Sequence, residues 1–229
     1  LGPRLSEQDY SSDDIALLNN LAAQATPAVR VAQLVRQQQI EAQERERMEQ
    51  ELQVARLIQQ TLLPKELPAP QGWEIQAYYQ PARAVGGDFY DFINLPGDRL
   101  GIFVGDVTDK GVPAALVMAT TRRILRIAAE TLDSPGKVLE QANNLLCADI
   151  PPNMFVTCLY AILDLHNGTI RFANAGHNPP YTCGRGQVTE LRATGMPLGL
   201  MPEMRYDEKE AVLGYDECVL FYSDGLTEA

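Results

Sequence analysis

From Ser12 to Leu63 the chain contains no glycine and only one proline, Pro27, and this stretch constrains the fold more than any other feature. It is rich in Ala, Gln, Glu, Arg and Leu, all strong helix formers. Asp13 and Asp14 supply the negative charge that a helix N-terminus favours. Pro64, Pro68 and Pro70 end the run, since proline lacks an amide and restricts the residue before it. The pattern predicts one long helix over residues 12–63. With Val31 as position a, the a/d series is Val31, Leu34, Gln38, Glu41, Arg45, Met48, Leu52, Ala55, Gln59 and Leu62. Six of these ten are apolar, and Gln38, Glu41 and Arg45 make a polar centre. The two ends read as coiled coil. A lone helix of this length leaves its apolar stripe in water, so a partner helix is expected. A homodimer through this helix is the preferred reading; one helix folded back on its own domain is the alternative.

After Pro70 the pattern changes to strands. Trp73–Gln80, Asp88–Leu95 and Arg99–Val107 are rich in aromatic and β-branched residues and are separated by Pro81 and the turn Leu95-Pro96-Gly97-Asp98. Gly111–Thr131 carries a broad apolar helical face, and a second helix starts at Ser134 with Pro135 at its first position. Strands return at Phe155–Leu165 and Thr169–Ala175, joined by the turn His166-Asn167-Gly168, and again at Tyr206–Val212 and Cys218–Tyr222. Strands, a helix pair, then strands predict an α+β fold of antiparallel sheets covered by helices.

Nineteen basic and thirty acidic residues leave a net charge of −11, which argues against nucleic acid as a partner because a phosphate backbone needs a basic face. None of Cys147, Cys158, Cys183 and Cys218 is paired at C-x-x-C spacing, and His166 and His177 stand alone, so a zinc site is not expected. Free thiols within apolar runs suggest a reducing cytoplasm. No apolar run reaches the ~18 residues of a membrane span, and no signal peptide opens the chain. The chain starts at Leu1 without Met, which suggests a fragment of a longer protein.

Three aspartates sit where apolar runs end beside glycine: Asp88 after Gly86-Gly87, Asp106 after Gly105, and Asp224 before Gly225. Glycine permits close backbone approach there. A carboxylate drawn toward a core needs a counter-charge, and no Lys or Arg repeats beside all three. A shared divalent cation is the simplest counter-charge, and an all-oxygen ligand set points to Mg²⁺ or Mn²⁺. Such a site would bind phosphate oxygens and activate water for attack on phosphorus. A Cys or Ser nucleophile is not evident, and neither a phosphate-binding glycine loop nor a kinase signature is present.

An ordered set of motifs runs through the chain: Ala55-Arg56-Leu57-Ile58-Gln59-Gln60-Thr61-Leu62-Leu63-Pro64, Val85-Gly86-Gly87-Asp88-Phe89-Tyr90-Asp91, Gly105-Asp106-Val107-Thr108-Asp109-Lys110-Gly111, Asn174-Ala175-Gly176-His177-Asn178-Pro179-Pro180, Gly195-Met196-Pro197-Leu198-Gly199 and Tyr222-Ser223-Asp224-Gly225-Leu226-Thr227-Glu228-Ala229. The set resembles the metal-dependent protein phosphatases of the protein phosphatase 2C (PPM) class. Within it, the match is to the bacterial branch holding the sporulation stage II E phosphatase and the sigma-factor-regulating phosphatases. The resemblance implies two antiparallel sheets flanked by helix pairs, with two Mn²⁺ or Mg²⁺ ions between the sheets at one end. It implies Asp88, Asp106 and Asp224 as catalytic metal ligands, Asp106 bridging the two ions, and the Val107 carbonyl as a further ligand. Asp91 would support the site, and the His177 segment reads as a shaped turn.

The implied substrate is a phosphoserine anti-anti-sigma protein of STAS fold, dephosphorylated in the cytoplasm. The family's Asp-Asp motif that comes after Ser-Asp-Gly is not found before Ala229, so a C-terminally truncated domain is expected. The domain reading is thus residues 1–30 as the end of a sensor domain resembling the GAF type, 12–63 as the coiled-coil linker, and 70–229 as the phosphatase domain. Two alternatives stay open: a degenerate, non-catalytic phosphatase-fold module that binds a partner, and a two-metal phosphohydrolase acting on a small molecule.

Overall fold

A computed structural model of the chain describes residues 10–81, 85–184 and 186–227. The first nine residues of the segment 1–30, and the Glu228-Ala229 end of the last motif, lie outside the described residues. The chain divides between Glu51 and Leu52 into two units.

The first unit is helical. Helix α1 (Ser12–Leu62) runs almost the whole length predicted. Ser11 caps it: the Asp14 carboxylate accepts from the Ser11 amide and hydroxyl, while the Asp14 amide donates to Ser11 Oγ, a reciprocal arrangement that satisfies otherwise orphaned donors. The apolar residues Val31, Leu34 and Met48 are exposed. The pairs Arg45–Glu49 and Arg47–Glu51, each 3.0 Å apart, are exposed and add only tenths of a kcal/mol, about 0.3–0.5 each.

The second unit holds the last turns of α1 and two antiparallel sheets. Five strands order as β1-β2-β3-β4-β7: β1 (Phe89–Leu95), β2 (Arg99–Val107), β3 (Val156–Asp164), β4 (Thr169–Ala175) and β7 (Glu208–Val212). A second sheet orders as β6-β5-β8, from β5 (Tyr181–Gly184), β6 (Gln187–Glu190) and β8 (Cys218–Leu220). Helices α2 (Val112–Thr131) and α3 (Pro135–Asp149) lie between β2 and β3 in the chain. The Ser134 side chain caps α3 by accepting from the Lys137 amide at 3.2 Å. Gly111 precedes α2 with φ 90°, a left-handed conformation that favours glycine.

Side chains alternate across the five-stranded sheet and build two cores. Phe89, Ile93, Phe103, Tyr160 and Ile162 face α2 and α3, packing with Met118, Leu125, Leu139 and Leu146. Phe103 and Tyr160 stack at 4.0 Å between ring centroids. Leu100, Ile102, Leu159, Ala161, Leu163 and Phe172 face the other way, toward Leu191, Ala193 and Val219. A sheet covered on both faces explains why β3 is a nearly unbroken apolar run.

Two sequence expectations fail. Trp73–Gln80 takes no strand conformation. Trp73 and Ile75 still pack on the second core, and the Trp73 indole donates to the Leu165 carbonyl at 3.0 Å. The segment's apolar and aromatic residues record that packing, not a hydrogen-bonded ladder. The short strands β5 and β6 fall where the sequence pattern predicts no strand. Among the described residues, no helix is long and apolar enough to cross a membrane.

Candidate metal centre

Three chain reversals bring Asp88, Asp106 and Asp224 together. Asp88 immediately precedes β1, Asp106 is the penultimate residue of β2, and Asp224 opens a short 3₁₀ turn after β8. Phe89 pairs with Gly105 in the β1–β2 register, which sets Asp88 beside the end of β2. One carboxylate oxygen from each aspartate lies within 4.8 Å of the other two. The packing admits only glycine at 87: a Cβ there would collide with the Val107 carbonyl oxygen and lie 2.8 Å from Asp106 Oδ1. The Val107 carbonyl oxygen and Asp106 Oδ1 thus both face Gly87.

The electrostatics show the cost of this convergence. Burial, then the charges of Asp88 and Asp224, push Asp106 up to about 7 in the metal-free protein. Burial likewise raises Asp88, opposed by the Ser223 hydroxyl within hydrogen-bonding reach and reinforced by Asp224. Asp88 Oδ1 is buried with no partner. Buried oxygens of this kind normally have a partner, and one cation would serve all three carboxylates. The donor set suits a hard divalent ion.

Several residues around the aspartates carry no motif signal of their own. The Tyr79 hydroxyl is buried and unpaired. Burial and the charges of Asp88 and Asp106 push it up to about 12, so it stays a proton donor. Thr157 pairs with Asp106 across the β2–β3 ladder; its hydroxyl lies 3.3 Å from the Asp106 carbonyl and 3.0 Å from His177 Nδ1. Burial pushes His177 down to about 4, against smaller opposing effects from the Tyr222 backbone and Asp224, so it is neutral near pH 7. Its Nε2 has no aligned hydrogen-bond partner, so the Tyr222 contact is weak.

Asn174 brackets the His177 turn, donating to its carbonyl at 2.8 Å and accepting its amide at 2.7 Å. Gly176 in the same turn abuts Pro197. The turn is shaped, as its sequence suggests. Asp91 stands apart from the three aspartates: it is buried in β1 and engages Arg122 and Arg126 of α2. Gln59 is the most unexpected neighbour. It is the one buried residue of α1, and its amide holds Gly86 on both sides.

A family model described as Stage II sporulation protein E matches residues 96–229. Protein IcfG of Synechocystis is 34% identical over 209 residues, covering 78% of this chain and 33% of its own length. The phosphoserine phosphatase RsbU of Bacillus subtilis is 31% identical over 180 residues, covering 78% of this chain and 53% of its own. The chain thus spans between a third and about half of these relatives. Among solved structures, the RsbU and RsbW domains of a Mycobacterium tuberculosis protein align with 31% identity and a TM-score of 0.57, over 64% of this chain and 41% of that one. The SiaA-PP2C domain of Pseudomonas aeruginosa aligns with 24% identity and a TM-score of 0.66, over 76% of this chain and 71% of that one; this likeness concerns the fold.

Proposed function

Because the chain belongs to the stage II sporulation protein E family, we propose that it is a metal-dependent phosphatase that hydrolyses phosphoserine or phosphothreonine on a signalling protein in the cytoplasm. The proposed substrate is a phosphorylated anti-anti-sigma factor of STAS fold; the phosphoserine phosphatases RsbU and RsbP among its relatives favour a phosphoserine protein. The observation that carries this reading is the convergence of Asp88, Asp106 and Asp224 around a buried, unpartnered carboxylate oxygen.

Asp88, Asp106, Asp224 and the Val107 carbonyl would hold two Mn²⁺ or Mg²⁺ ions. Bound there, the cations would neutralise phosphoryl oxygens and acidify water near the phosphorus. The protein's own residues do the rest. The Ser223 hydroxyl, close to Asp88, favours its ionised form. Tyr79 keeps its proton and can donate toward a phosphoryl oxygen. His177, neutral near pH 7, sits 3.0 Å from the hydroxyl of Thr157, the β3 residue that pairs with Asp106, and so packs behind that ligand.

The full-length protein is expected to release inorganic phosphate from a phosphoserine protein with Mn²⁺ or Mg²⁺ and to lose this with EDTA. Below pH 7 a cation must displace a proton from Asp106, so Mn²⁺ affinity should rise with pH and level off above about 7 as far as this group is concerned. Hydrolysis that survives EDTA would reject the metal reading. Tight Mn²⁺ binding without hydrolysis of any phosphoprotein would favour a non-catalytic module.

We also propose that α1 pairs with a second copy as a coiled coil. The exposed Val31, Leu34 and Met48 at heptad positions support this. Sedimentation equilibrium should give a dimer that Leu34→Asp weakens; a monomer at all concentrations would reject it.

A further inference from the structure

The last turns of α1 meet the rest of their unit through Leu52, Ala55, Gln59 and Leu62, which recur at helical spacing, with Leu63 just beyond. Four of these five are apolar. Gln59 is the exception, and it is the most deeply buried, 3% exposed. A buried primary amide must spend both its donor and its acceptor on partners. Gln59 spends both on one residue. Its Nε2 donates to the Gly86 carbonyl at 2.6 Å, and its Oε1 accepts from the Gly86 amide at 3.1 Å. This is the two-point grip that a neighbouring strand would give, supplied by a side chain.

The gripped residue matters because of its neighbours in the chain. Gly86 lies outside any strand, and β1 begins only at Phe89. On its far side Gly87 is pressed against the Val107 carbonyl and Asp106 Oδ1. The next residue is Asp88, with its buried unpartnered oxygen. The loop is therefore held between Gln59 and the end of β2, and two peptide units connect the amide grip to a metal-ligating carboxylate.

We propose that Gln59 is a positioning residue for the metal centre: its side-chain amide fixes the Gly86–Asp88 loop against β2 and so sets the affinity with which Asp88 takes a divalent cation. This rests on the metal-dependent function proposed above. Gln59 touches neither cation nor substrate. It acts through Gly86, as groups behind metal ligands commonly do when they fix ligand orientation.

The test uses full-length Gln59→Leu, which keeps the bulk and removes both hydrogen bonds, and Leu62→Ala, which weakens the same packing and leaves the grip intact. Mn²⁺ affinity is read by calorimetry, and amide exchange is followed in peptides spanning 85–88. Gln59→Leu is expected to lower Mn²⁺ affinity about tenfold, in the range seen for groups that support metal ligands. It should also speed exchange at Gly86 and leave β2 and β3 protected. Turnover should recover toward wild type at saturating Mn²⁺, so the shift lies in the Mn²⁺ needed, not in kcat. Leu62→Ala should lower the melting temperature without this loss of affinity.

Unchanged affinity and exchange in Gln59→Leu would overturn the proposal. So would an equal affinity loss in Leu62→Ala at an equal drop in melting temperature, which would mark Gln59 as packing alone. If wild-type protein binds no Mn²⁺, the functional reading fails and the affinity claim with it. Loss of Gly86 protection in Gln59→Leu would still show the grip itself to be real, which separates the two failures.

Discussion

Asp106→Asn is expected to reduce phosphate release by at least about a hundredfold and, at the same time, to raise the melting temperature of the metal-free protein at pH 8. The first effect comes from position. Asp106 is proposed to bridge two cations, and even residues that merely support a metal ligand cost about 10–100-fold when removed; a ligand should cost no less. The second effect comes from charge. Asp106 sits at about 7 in the folded, metal-free chain, against an ordinary value of 3.8. The folded state therefore binds more protons than the unfolded state between those two values. Stability falls as pH rises through that window, and the full penalty is in place at pH 8. An amide carries no charge to repel Asp88 and Asp224, so the variant escapes the penalty. At pH 4 the two proteins should melt together. Thermal melts in EDTA at pH 4 and pH 8, with phosphate release assayed in excess Mn²⁺, check both halves. A variant that is both active and no more stable at pH 8 would show that Asp106 is an ordinary surface acid.

The same tension between charge and burial explains which residues of the site are legible in the sequence. Asp88, Asp106 and Asp224 are visible because each sits beside glycine at the end of an apolar run, a local pattern that betrays a charge pulled toward a core. The boundaries of α1, α3 and β4 are visible for a similar reason: proline, serine caps and turn residues act within a few positions. Tyr79, Thr157 and Ser223 are not visible as site residues. Thr157 reaches Asp106 only through the β2–β3 register, and Ser223 reaches Asp88 only through the return of β8, long-range pairings that no short window contains; Tyr79 lies in a segment without strand structure. Gln59 falls between these cases. It is a polar residue in an apolar heptad position, and that irregularity is legible; its partner, 27 residues away, is not. The Trp73–Gln80 segment misleads because side-chain packing and strand pairing leave the same composition.

Replacing Asp91 is expected to cause the largest loss of stability of any single change in a charged residue of the second unit. Asp91 is 1% exposed. Its Oδ2 accepts from Arg126 Nη1 at 2.7 Å and lies 3.0 Å from Arg122 Nε. The Arg122 N–H is not aligned with the oxygen, so that contact is one of charge. Oδ1 accepts from the Phe92 amide at 2.9 Å, and Arg126 also donates to the Phe92 carbonyl at 3.2 Å. Arg122 and Arg126 are one helical turn apart on α2, so this one carboxylate ties α2 to β1 and separates two like charges. Asp91→Asn keeps the shape and leaves two half-buried guanidiniums unneutralised. Breaking a buried pair in this way costs about 3–5 kcal/mol, and partial exposure of the arginines argues for the lower end. About 3 kcal/mol corresponds to a drop in melting temperature of about 6–12 °C for a domain of this size. Arg126→Met alone should cost less, because Arg122 still neutralises Asp91. The double variant Asp91→Asn, Arg126→Met should cost less than the sum of the two, since the second change removes a charge that the first left stranded. Melts run in EDTA keep metal binding from masking the comparison. If Asp91→Asn melts within a degree of wild type, or if the two changes simply add, the carboxylate is not the counter-charge that holds α2 to β1.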